Sequence, residues 1–431
     1  MHTLHIQRRS LFRRNDPESG QTILLVALAI VSLLGMAALA IDVVTLYVAR
    51  SEIQRAADAA ALAGAKAVAD SGFTTLPTSD PNYTGAKTLA NTMATQAIAA
   101  TVGTNLVSGG APVQSGFPVV DSSRQGDVLV TVSLVRSGLP TFFSKIFGRS
   151  AATVTATATA EAYNPSNNAS FTPIAPVSLK PWLVANNDPT HSGAPFIDKG
   201  TGIVENGAIG NPFDLTADCT GIGGLCAPGH TPGILNANQV EYVPLQVTAN
   251  SKNVCPSCLG ATAYENSIEC ADVNTYVVPS CRGGVTNAFW DNSVIPGGLT
   301  GLSASGAECL IHATGTGSTG QDILSDPLAW PLGPRKITTQ FGQSVTTSNS
   351  IVTIPIIDPA SFDPAGPVTV VGYMQAFINQ VENGTNPNTS PGDINITVLN
   401  ISGCSVSPNG AAAVVGGAGT SPVPVRLITP P

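Results

Sequence analysis

Eight cysteines are the residues of this 431-residue chain with the clearest chemical potential: Cys219, Cys226, Cys255, Cys258, Cys270, Cys281, Cys309 and Cys404. None lies before residue 219. An even number confined to one half of an exported chain reads as a framework of up to four disulfides. Proximity alone suggests Cys219–Cys226 first. Cys255-Pro-Ser-Cys258 also has the spacing of a redox or zinc motif. A redox pair needs a helix start beside a βαβ unit to lower the first thiol's pKa, and the Asn-, Ser- and Pro-rich surroundings offer none. A zinc site needs a second close pair, and Cys270 and Cys281 are too far apart to supply it. Disulfide bonding is therefore the expectation. His2, His5, His191, His230 and His312 are scattered and form no metal-ligand spacing. No Gly-x-Ser-x-Gly elbow, phosphate loop or His-Glu-x-x-His string occurs. The reading is non-enzymatic: no catalytic residue, no metal and no cofactor.

A disulfide framework must be held outside the cytoplasm, and the N-terminal residues carry the means. Ile23 to Ile41 is a run of 19 uncharged residues that includes Leu24, Leu25, Leu33, Leu34 and Leu39. As a helix it spans about 28 Å, close to the thickness of bilayer hydrocarbon. Arg8, Arg9, Arg13 and Arg14 precede it and Asp42 follows it. The positive-inside rule then places the tail in the cytoplasm and the bulk outside, anchored in the inner membrane by one pass. The run is longer than the apolar core of a cleaved signal peptide, so an uncleaved anchor is expected.

Helical sequence continues past the membrane edge. Residues 42–70 contain no Pro and are dominated by Ala, the strongest helix former. Leu46, Ile53, Ala57, Ala60 and Ala67 make a narrow apolar stripe. One helix from Thr22 to Ala69 would be about 70 Å long. Its small side chains suit close packing, either on its own domain or on a partner chain. Asp42 is expected to be a hydrated boundary marker, and Asp58 a solvated or Arg55-paired carboxylate.

The stretch from Ser19 to Ala67 resembles the N-terminal module of the TadE/TadG-like Flp (tight adherence) pilus-assembly proteins. Gly20 and Gln21, then Asp42, Tyr47, Gln54, Ala57, Asp58, Ala61 and Gly64, match that family's pattern in order. Residues 128–162, with a Pro-Thr-Phe-Phe turn between two strands, are similar to what often follows in such chains. The resemblance implies an accessory component of pilus assembly or a related surface-attachment system, with other Tad or pilin-like proteins as partners. Pilin-like processing implies a Glu five residues into the mature chain, and counting from Gln21 that position is Leu25. An unprocessed anchor fits better, although a Gly-ending string at 16–20 leaves cleavage open. The Asp-x-Ser-x-Ser signature of a metal-binding adhesion domain, found in some relatives, is not present.

Composition completes the outline. Charged residues are 11% and hydrophobic residues 43% of the chain, with 43 Gly and 33 Pro, which suits β-structure joined by turns. Residues 21–431 hold 15 basic against 25 acidic residues, so no nucleic-acid partner is expected. The fold class is α+β. Residues 1–21 form a basic tail and 22–70 the long helix. Residues 71–163 form a small α+β unit, and 164–431 a β-rich, disulfide-containing domain joined through a linker at 164–170. Phe142, Phe143, Ile146 and Phe147 read as a short amphipathic helix that wants burial, with contact at the membrane surface as the other option. Strands are expected at 174–184, 241–247, 271–278, 350–357, 368–378 and 394–401. The competing functional reading is an envelope-anchored adhesion module whose β-rich half binds glycan or a surface protein. An exported enzyme is a distant third.

Overall fold

The computed structural model describes residues 18–431 except 168–173, 218–229, 248–257, 259–261, 271–283, 286–289, 295–298, 326–332, 334–335, 363–367, 385–390, 405–413, 416–420, 429–431 and the single positions 125, 177, 206, 316 and 346. The strand expected at 271–278 lies outside these residues.

Helix α1, Glu18–Asp70, runs without a break for 53 residues, or about 80 Å. It is the one described helix long and apolar enough to cross a membrane. Its two halves have different surroundings. Ile23, Leu24, Leu25, Leu33, Leu34, Leu39 and Ile41 are all exposed on the protein. From Ala49 onward one face is buried: Ala49, Ile53, Ala56, Ala57, Ala60, Ala61, Ala65 and Val68 enter a core with helix α2, Tyr83–Thr104. That core also takes Ala86, Ala90, Ala94 and Ile98 from α2, so the two helices approach through alanine. The small-residue face thus packs on its own domain.

A sheet lies against the helices. Its strands are β1 (Val113–Gln114), β2 (Val119–Arg124), β3 (Asp127–Pro140) and β4 (Ala151–Tyr163). β3 and β4 pair antiparallel from Asp127↔Tyr163 to Pro140↔Ala151. Val128, Val130, Val132 and Leu134 alternate into the core with Ala156, Ala158, Ala160 and Ala162 opposite them. On the other face Thr131 bonds Thr159 and Ser133 bonds Thr157. Thr and Ala alternate along β4 because one face must be small and dry and the other polar.

The remainder contains β5 (Ile174–Ala175), β6 (Trp182–Ala185), β7 (Pro212–Ala217), β8 (Ile234–Asn236) and β9 (Gln239–Val247). Next come α3 (Ala263–Glu269), β10 (Gly284–Val285), β11 (Trp290–Val294) and α4 (Leu299–Ile311). β12 (Asp322–Ser325), β13 (Lys336–Thr339) and β14 (Ser344–Val345) form a small separate sheet. β15 (Ile351–Ile357), β16 (Val368–Val381) and β17 (Ile394–Gly403) are the longest apolar strands of this part, followed by β18 (Val414–Val415) and β19 (Val425–Ile428). Six strands close on themselves in the order β16–β15–β6–β9–β7–β17, with β17 pairing back to β16. The result is a mixed six-stranded barrel, parallel at β15–β6 and at β7–β9 and antiparallel elsewhere. Closure leaves none of these six strands as a bare edge of the ring.

One face of every barrel strand feeds the largest core: Trp182, Phe213, Tyr242, Ile354, Met374 and Ile396 are examples. Tyr264 and Ile268 of α3 and Ala307 and Ile311 of α4 join that core. The other face supplies smaller clusters, Tyr373 with Leu183 and Phe377 with Leu399. Parts of β6, β9, β15, β16 and β17 are therefore apolar on both sides, whereas β7 carries Asp214 and Thr216 on its second face. Buried Lys180 holds the end of α3 by donating to the carbonyls of Ile268 and Cys270, as a cation does at a helix C-terminus.

The barrel is tied to the first sheet at two places. Asn164, expected in a loose linker, is fully buried and donates to Ile401 O at 2.9 Å. Thr75 contacts the same residue through its hydroxyl, which accepts from Ile401 N at 3.1 Å. β19 then returns to pair antiparallel with β4, Val425↔Ala162 through Ile428↔Thr159. Arg426 pairs with Glu161 across that seam.

Candidate functional site: the membrane-exit junction

Asp42 follows the uncharged run, where a hydrated carboxylate was expected. The structure corrects this, since Asp42 is only 2% exposed. Its Oδ1 accepts from the backbone N–H of Phe142 at 2.9 Å. Its Oδ2 accepts from the N–H of Phe143 at 3.1 Å, and from the N–H and hydroxyl of Ser144 at 2.6 and 2.7 Å. These donors open a 3-10 turn, Ser144–Phe147, at the tip of the β3–β4 hairpin. The first amides of any helical turn have no partner within it, and a carboxylate satisfies them well. Here the cap comes from a residue about one hundred positions away. The turn ends at Gly148, whose φ of +83° puts it in the left-handed region. Asp42 thus clamps the hairpin tip onto α1 at the point where the apolar run ends.

The same turn overturns a second expectation. Phe142 and Phe143 are not buried: they are 61% and 36% exposed. The two amides and Ser144 were missed as partners of Asp42, because nothing local in the sequence connects them.

Further along α1, Gln54 donates to Asp58 Oδ1 at 2.9 Å and reaches Thr157 O of β4 at 3.4 Å. Asp58 is thus held by Gln54, not Arg55. Glu52 accepts from Ser108 N at 2.7 Å. Ala57 and Ala61 are fully buried against the sheet and α2. At Gly64 a methyl group would lie 2.8 Å from Ile98 Cδ1 and 2.9 Å from Val130 Cγ1. Ile98 can swing its terminal carbon away, but Val130 is β-branched and sits on the central strand. Gly64→Ala gains about 1 kcal/mol of helix propensity and meets an overpacking cost of about 1–3 kcal/mol. A net loss of about 1 kcal/mol is expected in denaturant unfolding, and a stabilised variant would show that the seam can open. Gly20 lies within α1, and Gln21 is exposed on it.

These residues are also where the chain is recognisable. Residues 20–67 match the family model for putative Flp pilus-assembly TadE/G-like proteins. No curated protein and no solved structure matches the chain. The TadE/G-like segment is α1 almost entire, and its polar members, Asp42, Gln54 and Asp58, make the contacts just described. Residues 128–162 lie outside the match, yet β3 and β4 form the sheet on which the TadE/G-like helix rests.

The cysteines fall partly within the described residues. Cys258 is bonded to Cys309 on α4, 51 positions away in sequence, and not to its neighbour in the Cys-x-x-Cys string. Cys270 is also disulfide-bonded. Cys404, one of the possible disulfide partners, is a free cysteine. It directly follows β17, its Sγ directed at Val370 O. Cys219, Cys226, Cys255 and Cys281 lie outside the described residues, and the suggested Cys219–Cys226 pair with them.

Among the described residues two His–carboxylate contacts occur. Asp188 and Thr190 both meet Nδ1 of His191 within one turn, and His230 meets Glu241. Each is local to a loop or strand end. Among the described residues no group of three or more His, Cys, Asp and Glu is placed to hold a metal. One end of the barrel holds a carboxylate–amide ladder. Asn395 donates to Asp214 at 2.7 Å, Gln239 to Asp393 at 2.6 Å and Gln380 to Glu382 at 2.7 Å.

Burial pushes Asp214 up to about 6; the Asn395 hydrogen bond opposes this, and the charges of Glu382 and Asp393 add to it. A carboxyl raised on folding binds its proton more tightly in the native state. Its stabilising contribution is therefore present below the usual carboxylate range and is lost as pH rises through about 6. Allowing for solvent screening, the loss is about 1–2 kcal/mol. The unfolding free energy of the native protein, from denaturant titrations, should fall by that amount between about pH 4 and 7.5, and Asp214→Asn should flatten the slope. An equal slope in the variant would assign the effect elsewhere.

Proposed function

We propose that this chain is a non-enzymatic, membrane-anchored component of Flp/Tad-type pilus assembly or a related surface-attachment system. The observation that carries the reading is the TadE/G-like match at residues 20–67, laid on a helix whose first half is apolar and exposed and whose second half carries the folded body. The arrangement suits a single-pass anchor in the inner membrane, with the basic tail inside and the bulk outside. The partners are the membrane and other Tad assembly or pilin-like proteins. No cofactor is required. The division we adopt is tail 1–21, shaft 22–70, α+β unit 71–163 and outer domain 164–431, with β19 lent back to the α+β unit.

Deleting the gene in the organism that encodes it should abolish or sharply reduce surface pili and attachment, and the intact gene should restore both. Normal piliation and attachment in the deletion strain would overturn the proposal. Copurification of the solubilised chain with pilus-assembly proteins would support the same reading independently.

A further inference from the structure

The exposed apolar surface of α1 does not stop at Ile41. Val43, Val44, Tyr47 and Val48 are also large and exposed, while Asp42 and Ala49 on the other face are buried. The lipid-facing side of the helix therefore extends to Val48. That is six residues, or about 9 Å along the axis, beyond the position of Asp42. The hairpin tip is fastened to α1 at Asp42 by hydrogen bonds to three consecutive backbone amides. Its two phenylalanines thus lie level with Asp42, about 9 Å along α1 toward its N-terminus from the end of that apolar surface. Interfacial helices and aromatic side chains bury themselves about 5–10 Å into the headgroup and acyl boundary. Lys145 and Arg149, both exposed, follow on the same tip and can reach lipid phosphates with their stems along the apolar layer.

We infer that the tip of the β3–β4 hairpin, through Phe142 and Phe143, is a second membrane contact that enters the interface of the same leaflet from which α1 emerges. The occupant is phospholipid: acyl chain and glycerol level for the rings, phosphate for Lys145 and Arg149. The inference rests on the anchor reading above and deepens it. One helix alone leaves the outer body free to tilt and spin about the helix axis. A second contact, fixed to the shaft through Asp42, sets which side of the body faces the bilayer.

The test uses the full chain expressed in membranes, with the photoreactive p-benzoylphenylalanine placed singly at Phe142, Leu33 or Phe117. Phe142 is exposed enough to accept the larger ring, and Phe117, 95% exposed, lies in the β1–β2 connection, about 25 Å along β3 from the tip. After irradiation, mass spectrometry should find a phospholipid adduct at positions 142 and 33 and none at 117. An adduct at 33 with none at 142 would overturn the inference and leave the anchor standing. So would a protein crosslink at 142 in place of lipid, or equal lipid labelling at 142 and 117. Absence of lipid labelling at 33 would overturn the anchor reading itself, and this inference with it.

Discussion

Asp42→Ala should release the Phe142–Ser144 amides, raising their hydrogen-exchange rates by roughly one to two orders of magnitude relative to the native protein. The carboxylate accepts from three consecutive backbone N–H groups and one hydroxyl. Without it the 3-10 turn keeps its shape only through its own weak bonds and the Thr141 contact to Arg149. Asp42→Asn is nearly isosteric but presents an amide group where Ser144 needs an acceptor, so it should recover only part of the protection. Amides in the middle of β3, such as Val132, should be unaffected. Unchanged protection at 142–144 would show that the tip is held by the strands and not by α1.

Loss of the Cys258–Cys309 bond should destabilise the outer body by about 2–4 kcal/mol. The bond closes a loop of 51 positions, and chain entropy alone assigns such a loop a value near the upper end of that range. It joins the approach to α3 to α4, and the two helices pack through Ile268 against Gly306, where a methyl group would meet Ile268 Cβ at 3.1 Å. Cys258→Ser with Cys309→Ser should therefore lower the denaturant midpoint of the barrel while leaving the α1–α2 core much less affected. A variant as stable as the native protein would mean that the α3–α4 contact is held by packing alone.

The features visible in the sequence are those governed by local repetition. A charge-free run followed by Ala-rich sequence is enough to mark α1, because helix propensity and period act within a turn or two. β4 is legible from its Thr–Ala alternation, and β15, β16 and β17 from long apolar runs. What escaped depends on distant partners. The burial of Asp42 follows from a hairpin tip about a hundred residues away, and its flanking residues carry no trace of that. Phe142 and Phe143 misled for the same reason: three rings in six residues predict a dry environment without saying whether protein or lipid provides it. α3 was missed although Thr262 and Glu265 form a capping box, a short-range signal that was available. α4 was hidden by Gly301 and Gly306, which lower helix propensity; only at Gly306, packed on Ile268, does close packing demand a small residue. Closure of the barrel could not be read at all. It needs β17 to pair with both β16 and β7, and pairing across nearly two hundred positions leaves no periodic mark.

The return of β19 to β4 has a consequence for the order in which the molecule can be assembled. The whole barrel is inserted in sequence between two neighbouring strands of the first sheet, β4 and β19. That sheet therefore stays one strand short, with the Glu161 edge uncovered, until the barrel has been synthesised. A chain stopped partway through synthesis would present this open edge to its surroundings, and completion of the barrel and β19 is what seals it.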